Sequence, residues 1–345
     1  MSDSVSAAQP VQVGGPYFED FEVGQVLDDA PSLTLTTGHA AMHQALVGDR
    51  LRLCLDATLC AAVTGRAELL VHPNLICDVA IGQSTGITQR VRGNLFYRGL
   101  VLRRPMFIGD TMRTRTEVVG LRQNRRRGDG PATGLVALHI QTENQDGDCV
   151  LDFWRCPMIP LRDPEAETGH ADSFDDIPKE LDLGLVSEAV PRHWSFDAAR
   201  EQAGGAHFAD IAAGTVYEIE GRDTVTAPTE LVRLTLNIAK THSDAGASAH
   251  GHRLVYGGHT ISVAAAHVTR ALPNLMTILG WRECNHTGPV YEGDILSTVV
   301  TVEETHELED VDAGILEIRA VMHAEREGED EPQPVLDWRL AGLMA

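Results

Sequence analysis

Leu316, Ile318, Ala320, Met322 and Ala324 alternate with mostly polar neighbours, a period of two that predicts a strand with one buried face. Upstream, within residues 257–272, Ile261, Ala264, Ala265, Val268 and Leu272 recur at helical spacing and predict one buried stripe on a long helix. The many alanines of that segment let a sheet approach it closely. Asp146-Gly147 stands between the apolar runs 138–142 and 150–154, which signals a tight hairpin. Shorter helical stretches are predicted at residues 38–46 and 229–239. A central helix followed by several antiparallel strands predicts an α+β fold in which a sheet wraps around the helix.

The pattern is written twice. Phe18-Glu-Asp-Phe-Glu-Val-Gly24 recurs as Phe208-Ala-Asp-Ile-Ala-Ala-Gly214, and Met106-Phe-Ile-Gly-Asp110 as Val290-Tyr-Glu-Gly-Asp294. Val150-Leu-Asp-Phe-Trp-Arg155 recurs as Val335-Leu-Asp-Trp-Arg339. Three matches in the same order at nearly one spacing indicate a duplicated domain; a solenoid needs at least three stacked units. Residues 1–163 are expected to form the first domain and 191–345 the second. The Pro-, Glu- and Asp-containing stretch 164–190, which matches neither copy, is the expected linker.

A chain of 345 residues accommodates two cores of ordinary size. A formal charge of −22 argues against generic nucleic-acid or anionic-membrane binding. No apolar run approaches the ~20 residues of a membrane span, and the N-terminus lacks the basic and apolar regions of a signal peptide. The six cysteines are scattered without a CxxC pair, as small core residues of a reducing compartment would be, and a cytoplasmic location is expected. Arginines crowd residues 103–127, so Arg125, Arg126 and Arg127 are candidates to contact phosphate, the alternative being a solvated hairpin tip. There is no GxGxxG, Walker A or Gly-x-Ser-x-Gly motif. His250-Gly-His252 lacks an acidic or Cys partner at ligand spacing, and no metal is expected.

The segments Phe18-Glu-Asp-Phe-Glu-Val-Gly-Gln25, Asn144-Gln-Asp-Gly147, Asn237-Ile-Ala-Lys-Thr-His242 and Arg253-Leu-Val-Tyr-Gly-Gly-His-Thr-Ile-Ser262 carry a resemblance. The chain resembles the MaoC-like, or (R)-specific, enoyl-CoA hydratases of the hot-dog superfamily from about Tyr17 onward. Within them it is most similar to the double-domain mesaconyl-CoA hydratases, also called β-methylmalyl-CoA dehydratases. The resemblance implies a double hot-dog fold with an acyl-CoA thioester in the crevice between two halves. It also implies reversible hydration of mesaconyl-CoA or a similar branched enoyl-CoA, with no cofactor beyond the CoA of the substrate. A homodimer of double-domain chains is the expected assembly.

The family motif places an Asp five residues before a His and, after a gap, a Gly that opens the central helix. Here these positions hold Asn237, His242 and Gly257. An imidazole exchanges protons near neutral pH. A backbone N–H at a helix start polarises a thioester carbonyl, and Gly allows close approach to it. Asn237 cannot act as a base; it can only hold a water, so His242 serves as acid and base or Asp244 shares the work. An Asn also removes the repulsion that an Asp would impose on a substrate carrying its own carboxylate. Gly258, His259 and Arg253 are weaker candidates for substrate contact, as are Asn285 and His286. In the first copy Asp49 is followed by Cys54 instead of His, and Pro73, which has no N–H, aligns with Gly257. That half is expected to bind ligand without catalysing. Two other classes stay open: thioester hydrolysis, with Asp244 or Asp223 activating water, and acyl-CoA binding without catalysis.

Overall fold

The computed structural model describes residues 11–126, 130–248 and 251–345. The first copy begins with two short strands, β1 (Val26–Leu27) and β2 (Leu33–Thr34), and three helices, α1 (Thr37–Val47), α2 (Ala57–Thr64) and α3 (Pro73–Gln83). Four long strands follow: β3 (Gly93–Leu102), β4 (Thr111–Gln123), β5 (Thr133–Glu143) and β6 (Cys149–Pro160). Helices α4 (Leu183–Ala189) and α5 (Phe196–Gln202) lead into the second copy. There β7 (Val216–Glu218), β8 (Asp223–Thr224), α6 (Pro228–Leu234) and α7 (Gly257–Ala271) precede β9 (Leu275–His286), β10 (Ile295–Glu307), β11 (Gly314–Glu325) and β12 (Gln333–Met344).

The strands join in one antiparallel sheet of order β1-β4-β5-β6-β3-β9-β12-β11-β10-β7, with β2 against β4 and β8 against β10. Its halves meet at a short seam where Leu100 pairs with Trp281 and Val101 with Gly280. This is the double hot-dog, each half-sheet wrapping a helix. The repeated motifs make repeated structure. Asp110 Oδ2 accepts from Phe107 N and Asp294 Oδ2 from Tyr291 N, both at 2.8 Å. Gly24 N donates to Val118 O and Gly214 N to Val302 O, pinning each opening segment to its sheet. The Asp146-Gly147 hairpin forms, with Gly147 at φ +81° as its turn requires.

Helices α3 and α7 lie side by side in the core. Every residue of α3 is buried, as is α7 from Gly258 to Thr269. Their contact is close: a Cβ on Gly258 would stand 1.9 Å from Asp78 Oδ1. Ser262 Oγ donates to Asp78 Oδ2 and Tyr256 Oη to Asp78 O.

The helix expected over 229–239 is shorter than its pattern. α6 stops at Leu234, Leu236 adopts φ +59°, and Asn237 N reaches back to Val232 O. The reason is tertiary. α3 presses its Gly82 against this turn, where a Cβ would come within 1.7 Å of Thr235 O, and Thr85 Oγ1 accepts from Ile238 N.

Within the stretch 164–190, Phe174 and Ile177 lie on the first half-sheet, while Glu180 pairs with Arg282 and Leu181 packs with Met276 and Leu279 of the second. Phe174 packs with Phe96, Leu135, Ala137 and Cys156 and under the Arg122 guanidinium, and Asp172 Oδ2 accepts from Leu121 N. Cys54 and Cys149 are partly exposed and the other four cysteines buried, all as free thiols. Among the described residues no helix is long and apolar enough to cross a membrane.

Candidate active site

A cavity of about 210 Å³ opens where the two copies face one another. The second copy contributes Asn237, His242, Tyr256, Gly257 and His286; the first contributes Thr85, Thr88, Tyr97 and Arg155. His242 and Gly257, fifteen positions apart, therefore share one cavity.

His242 ends a single 3₁₀ turn, residues Lys240–His242, that follows the strained bend at Leu236. Its Nδ1 lies 2.9 Å from Leu254 O. A carbonyl only accepts, so Nδ1 carries the proton and Nε2 keeps its lone pair. The ring leaves part of its surface open to the cavity, yet the walls crowd it closely. Desolvation lowers its pKa below the usual imidazole value, against the opposing pull of the Leu254 carbonyl. At neutral pH the side chain is a neutral base with a fixed tautomer.

Gly257 is the first residue of α7, and no side chain caps that helix start. Its first-turn N–H groups sit at the positive end of a fifteen-residue helix dipole. The His286 ring covers Gly257 so closely that a Cβ there would stand 2.5 Å from His286 Nε2. Only glycine leaves room for both the imidazole and a ligand atom. The Tyr256 ring, 5.4 Å from that of His242, links the turn to the helix start.

Asn237 is 5% exposed, and its Oδ1 accepts from Ala239 N at 2.9 Å. That bond orients the amide, whose Nδ2 hydrogens remain to be offered. Those hydrogens can donate to a water or a carbonyl oxygen, while Oδ1 keeps one further lone pair.

Several sequence candidates lie elsewhere. Asp244 is exposed, its Oδ1 accepting from Gly246 N, and does not line the cavity. Asp223 is taken by His267 and Arg270 at 2.7 and 2.6 Å. Neither carboxylate is placed to activate water here, because each is held by groups outside the cavity. Gly258 faces Asp78 across the helix pair. His259 is buried away from the cavity, and burial pushes its pKa down to about 4. Arg253 is exposed and pairs with Glu292. Arg126 pairs with Glu165 and Arg125 is exposed, neither at the cavity, while Arg127 lies outside the described residues, as does His250. Sequence reasoning passed over Arg155 and Tyr97 altogether and underrated His286. Strand residues of the first copy carry no motif, and only the fold brings them here.

The first copy's equivalent space is about 20 Å³ and apolar, lined by Leu70, Val71, Pro73, Ile76 and Met106 among others. That is room for about one water. Asp49 is buried outside that space with another partner: His72, at the start of α3, places Nε2 3.1 Å from Asp49 Oδ1. Burial pushes the Asp49 carboxyl up, but His72 and the Leu51 N–H hold it below its usual range. With Pro73 in place of a glycine, the helix start lacks its first N–H.

The chain is similar to several known proteins. A family model described as mesaconyl-CoA hydratase matches residues 5–333. The β-methylmalyl-CoA dehydratase of Chloroflexus aurantiacus is 30% identical over 362 residues, covering 96% of this chain and 97% of that one. The mesaconyl-CoA hydratase of Cereibacter sphaeroides is 29% identical, covering 89% of each. Among solved structures, a conserved hypothetical protein of Mycobacterium tuberculosis with a double hot-dog fold superposes with a TM-score of 0.89 at 46% identity. It covers 97% of this chain and 100% of that one. A MaoC domain protein of Chloroflexus aurantiacus gives 0.85 at 26% identity, covering 97% and 99%.

Proposed function

This chain belongs to the mesaconyl-CoA hydratase family, and from that premise we infer that it is a hydro-lyase acting on a branched enoyl-CoA, with mesaconyl-CoA and β-methylmalyl-CoA as the substrate pair. The observation that carries the reading is the convergence of a neutral histidine and an uncapped helix start on one cavity.

In the hydration direction, His242 Nε2 removes a proton from water as the water oxygen bonds to the β carbon. The α,β double bond opens, and its electrons shift toward the thioester oxygen. The Gly257 N–H, at the end of the α7 dipole, stabilises the enolate charge that develops there. The imidazolium then returns its proton to the α carbon, and the cycle closes with water added. Asn237 Nδ2 donates to the attacking water and fixes its position without competing as a base. The second copy thus supplies the reacting groups. The first copy holds them through Thr85, through Gly82 and through Gln89, whose carbonyl accepts from Lys240 N.

Thioester hydrolysis needs a carboxylate at the cavity, and none of the described residues supplies one there. The test is to follow enoyl-thioester absorbance and free thiol together on mesaconyl-CoA. Loss of absorbance without thiol release supports the hydro-lyase; stoichiometric thiol release refutes it. His242→Ala should lower kcat by on the order of 10²–10⁴-fold, and undiminished turnover removes His242 from the mechanism.

A further inference from the structure

A charged side chain occupies a position where the fold elsewhere uses leucine. Arg155 is 5% exposed and forms part of the cavity wall. Short-motif similarity pairs its Trp-Arg with Trp338-Arg339, but the strands register differently. Phe153 and Trp338 are the fully buried aromatics of β6 and β12, each two residues before the position in question. Arg155 therefore corresponds to Leu340, which is 1% exposed, while Arg339 points outward to Glu283 and Glu303. The neighbouring strand repeats the exchange. Tyr97 lies opposite Arg155, and Trp281 lies opposite Leu340. One copy fills this inward pair with Trp and Leu, the other with Tyr and Arg.

Burying a guanidinium without a counter-ion is costly. Arg155 Nη2 donates to Ser84 O at 3.2 Å and Thr88 Oγ1 at 2.9 Å, but Nε is buried with no acceptor. The groups that favour its charge are the tyrosines Tyr97 and Tyr256, not a carboxylate. Among the described residues no Asp or Glu lines the cavity, in a chain with 50 acidic and 28 basic side chains. A plainer role, capping the C-terminal end of α3 through Ser84, accounts for Nη2 alone. It leaves unexplained why Nε is unpartnered and why Tyr replaces Trp beside it.

We propose that Arg155, steadied by Tyr97, receives a free carboxylate on the acyl chain, making this residue the determinant of preference for carboxylated over plain enoyl thioesters. A planar guanidinium matches a carboxylate in geometry and charge. Asn237 fits the same logic, since an Asp there would set a second negative charge in the cavity. The inference rests on the acyl-CoA reading of the cavity above.

Its test separates binding from turnover. Succinyl-CoA and butyryl-CoA have saturated chains of equal length, one ending in carboxylate and the other in methyl, and neither can be hydrated. By calorimetry the unaltered protein should bind succinyl-CoA about 100-fold more tightly than butyryl-CoA. Arg155→Gln should bring the two within a few-fold by weakening succinyl-CoA, and Arg155→Lys should keep part of the preference. Equal affinities in the unaltered protein overturn the assignment without any variant, and so does a preference that survives Arg155→Gln. Hydration of crotonyl-CoA as fast as mesaconyl-CoA, with equal binding, sinks Arg155 but not the hydro-lyase. Arg155-dependent binding of succinyl-CoA with no turnover of any enoyl-CoA does the reverse.

Discussion

In the proposed mechanism His242 depends on what its two nitrogens do separately. Leu254 O holds the proton on Nδ1, and desolvation keeps the ring neutral, so Nε2 is a ready base at pH 7. Because the pKa is lowered, the acidic limb of kcat/KM should lie below about pH 6.5, the ordinary imidazole value. A limb above that value would show that another group governs the step. Asp78 works in the opposite sense on stability. Burial pushes its carboxyl up to about 8, only partly offset by Ser262. Between about pH 4 and pH 8 the folded chain holds a proton that the unfolded chain has released, so this group's contribution falls as pH rises. Asp78→Asn keeps the shape and removes the ionisation. Denaturant unfolding should show the variant gaining on the parent by on the order of a few kcal/mol at pH 8.5. The gain should be much smaller at pH 5; an equal gain at both would mean that Asp78 does not titrate as described.

At the scale of elements, the contact of α3 with the turn after α6 connects packing to chemistry. Gly82→Ala would place a methyl within 1.7 Å of Thr235 O, and Thr235 immediately precedes the bend that presents Asn237. Relief requires either α3 or the turn to move. The expected results are a stability loss of roughly 1–3 kcal/mol and a fall in kcat larger than the change in KM. Gly86→Ala, four residues on and facing open space, is the control and should change neither by much. If the two variants behave alike in thermal unfolding and steady-state kinetics, the turn is not held by this contact. The same contact explains why apolar periodicity overran the end of α6. Residues 235–239 have a helical pattern, but a neighbouring helix occupies the space their next turn needs.

At the scale of the molecule, the cavity exists only because the two copies face one another. Residues 191–345 contain His242, Asn237 and Gly257 yet lack Thr85, Tyr97 and Arg155, and would expose the β3–β9 seam. Expressed alone, that half should bind no acyl-CoA and turn over no mesaconyl-CoA; activity near that of the whole chain would contradict the shared cavity. Acid should loosen the same interface. His43, from the first copy, is pushed down to about 3 by burial and then by the nearby His72, and His259, from the second, to about 4 by burial. Both are neutral when folded and gain protons more readily when unfolded. Their contribution is present above about pH 6.5 and is lost as pH falls toward 4. Unfolding midpoints measured from pH 7 to pH 4 should therefore drop, and His259→Gln should flatten the drop.

What is local or repeated could be read from the chain of residues alone. The alternation from Leu316 to Ala324 and the Asp146-Gly147 turn each formed as their spacing dictates, because each depends on neighbours a few residues away. The helical stripe of Ile261–Leu272 did too, and the duplication and the Asn237, His242 and Gly257 spacing were legible for the same reason. Tertiary structure decided which polar side chains meet. Asp244 and Arg253, close in sequence to His242, turn to the surface, while Arg155, eighty-seven positions before His242, enters the cavity. A strand's inward face is set by its register with its partners, and a one-residue difference moves a side chain to the other face. That register is why Arg155 takes the place of Leu340 and not of Arg339, and no short motif records it.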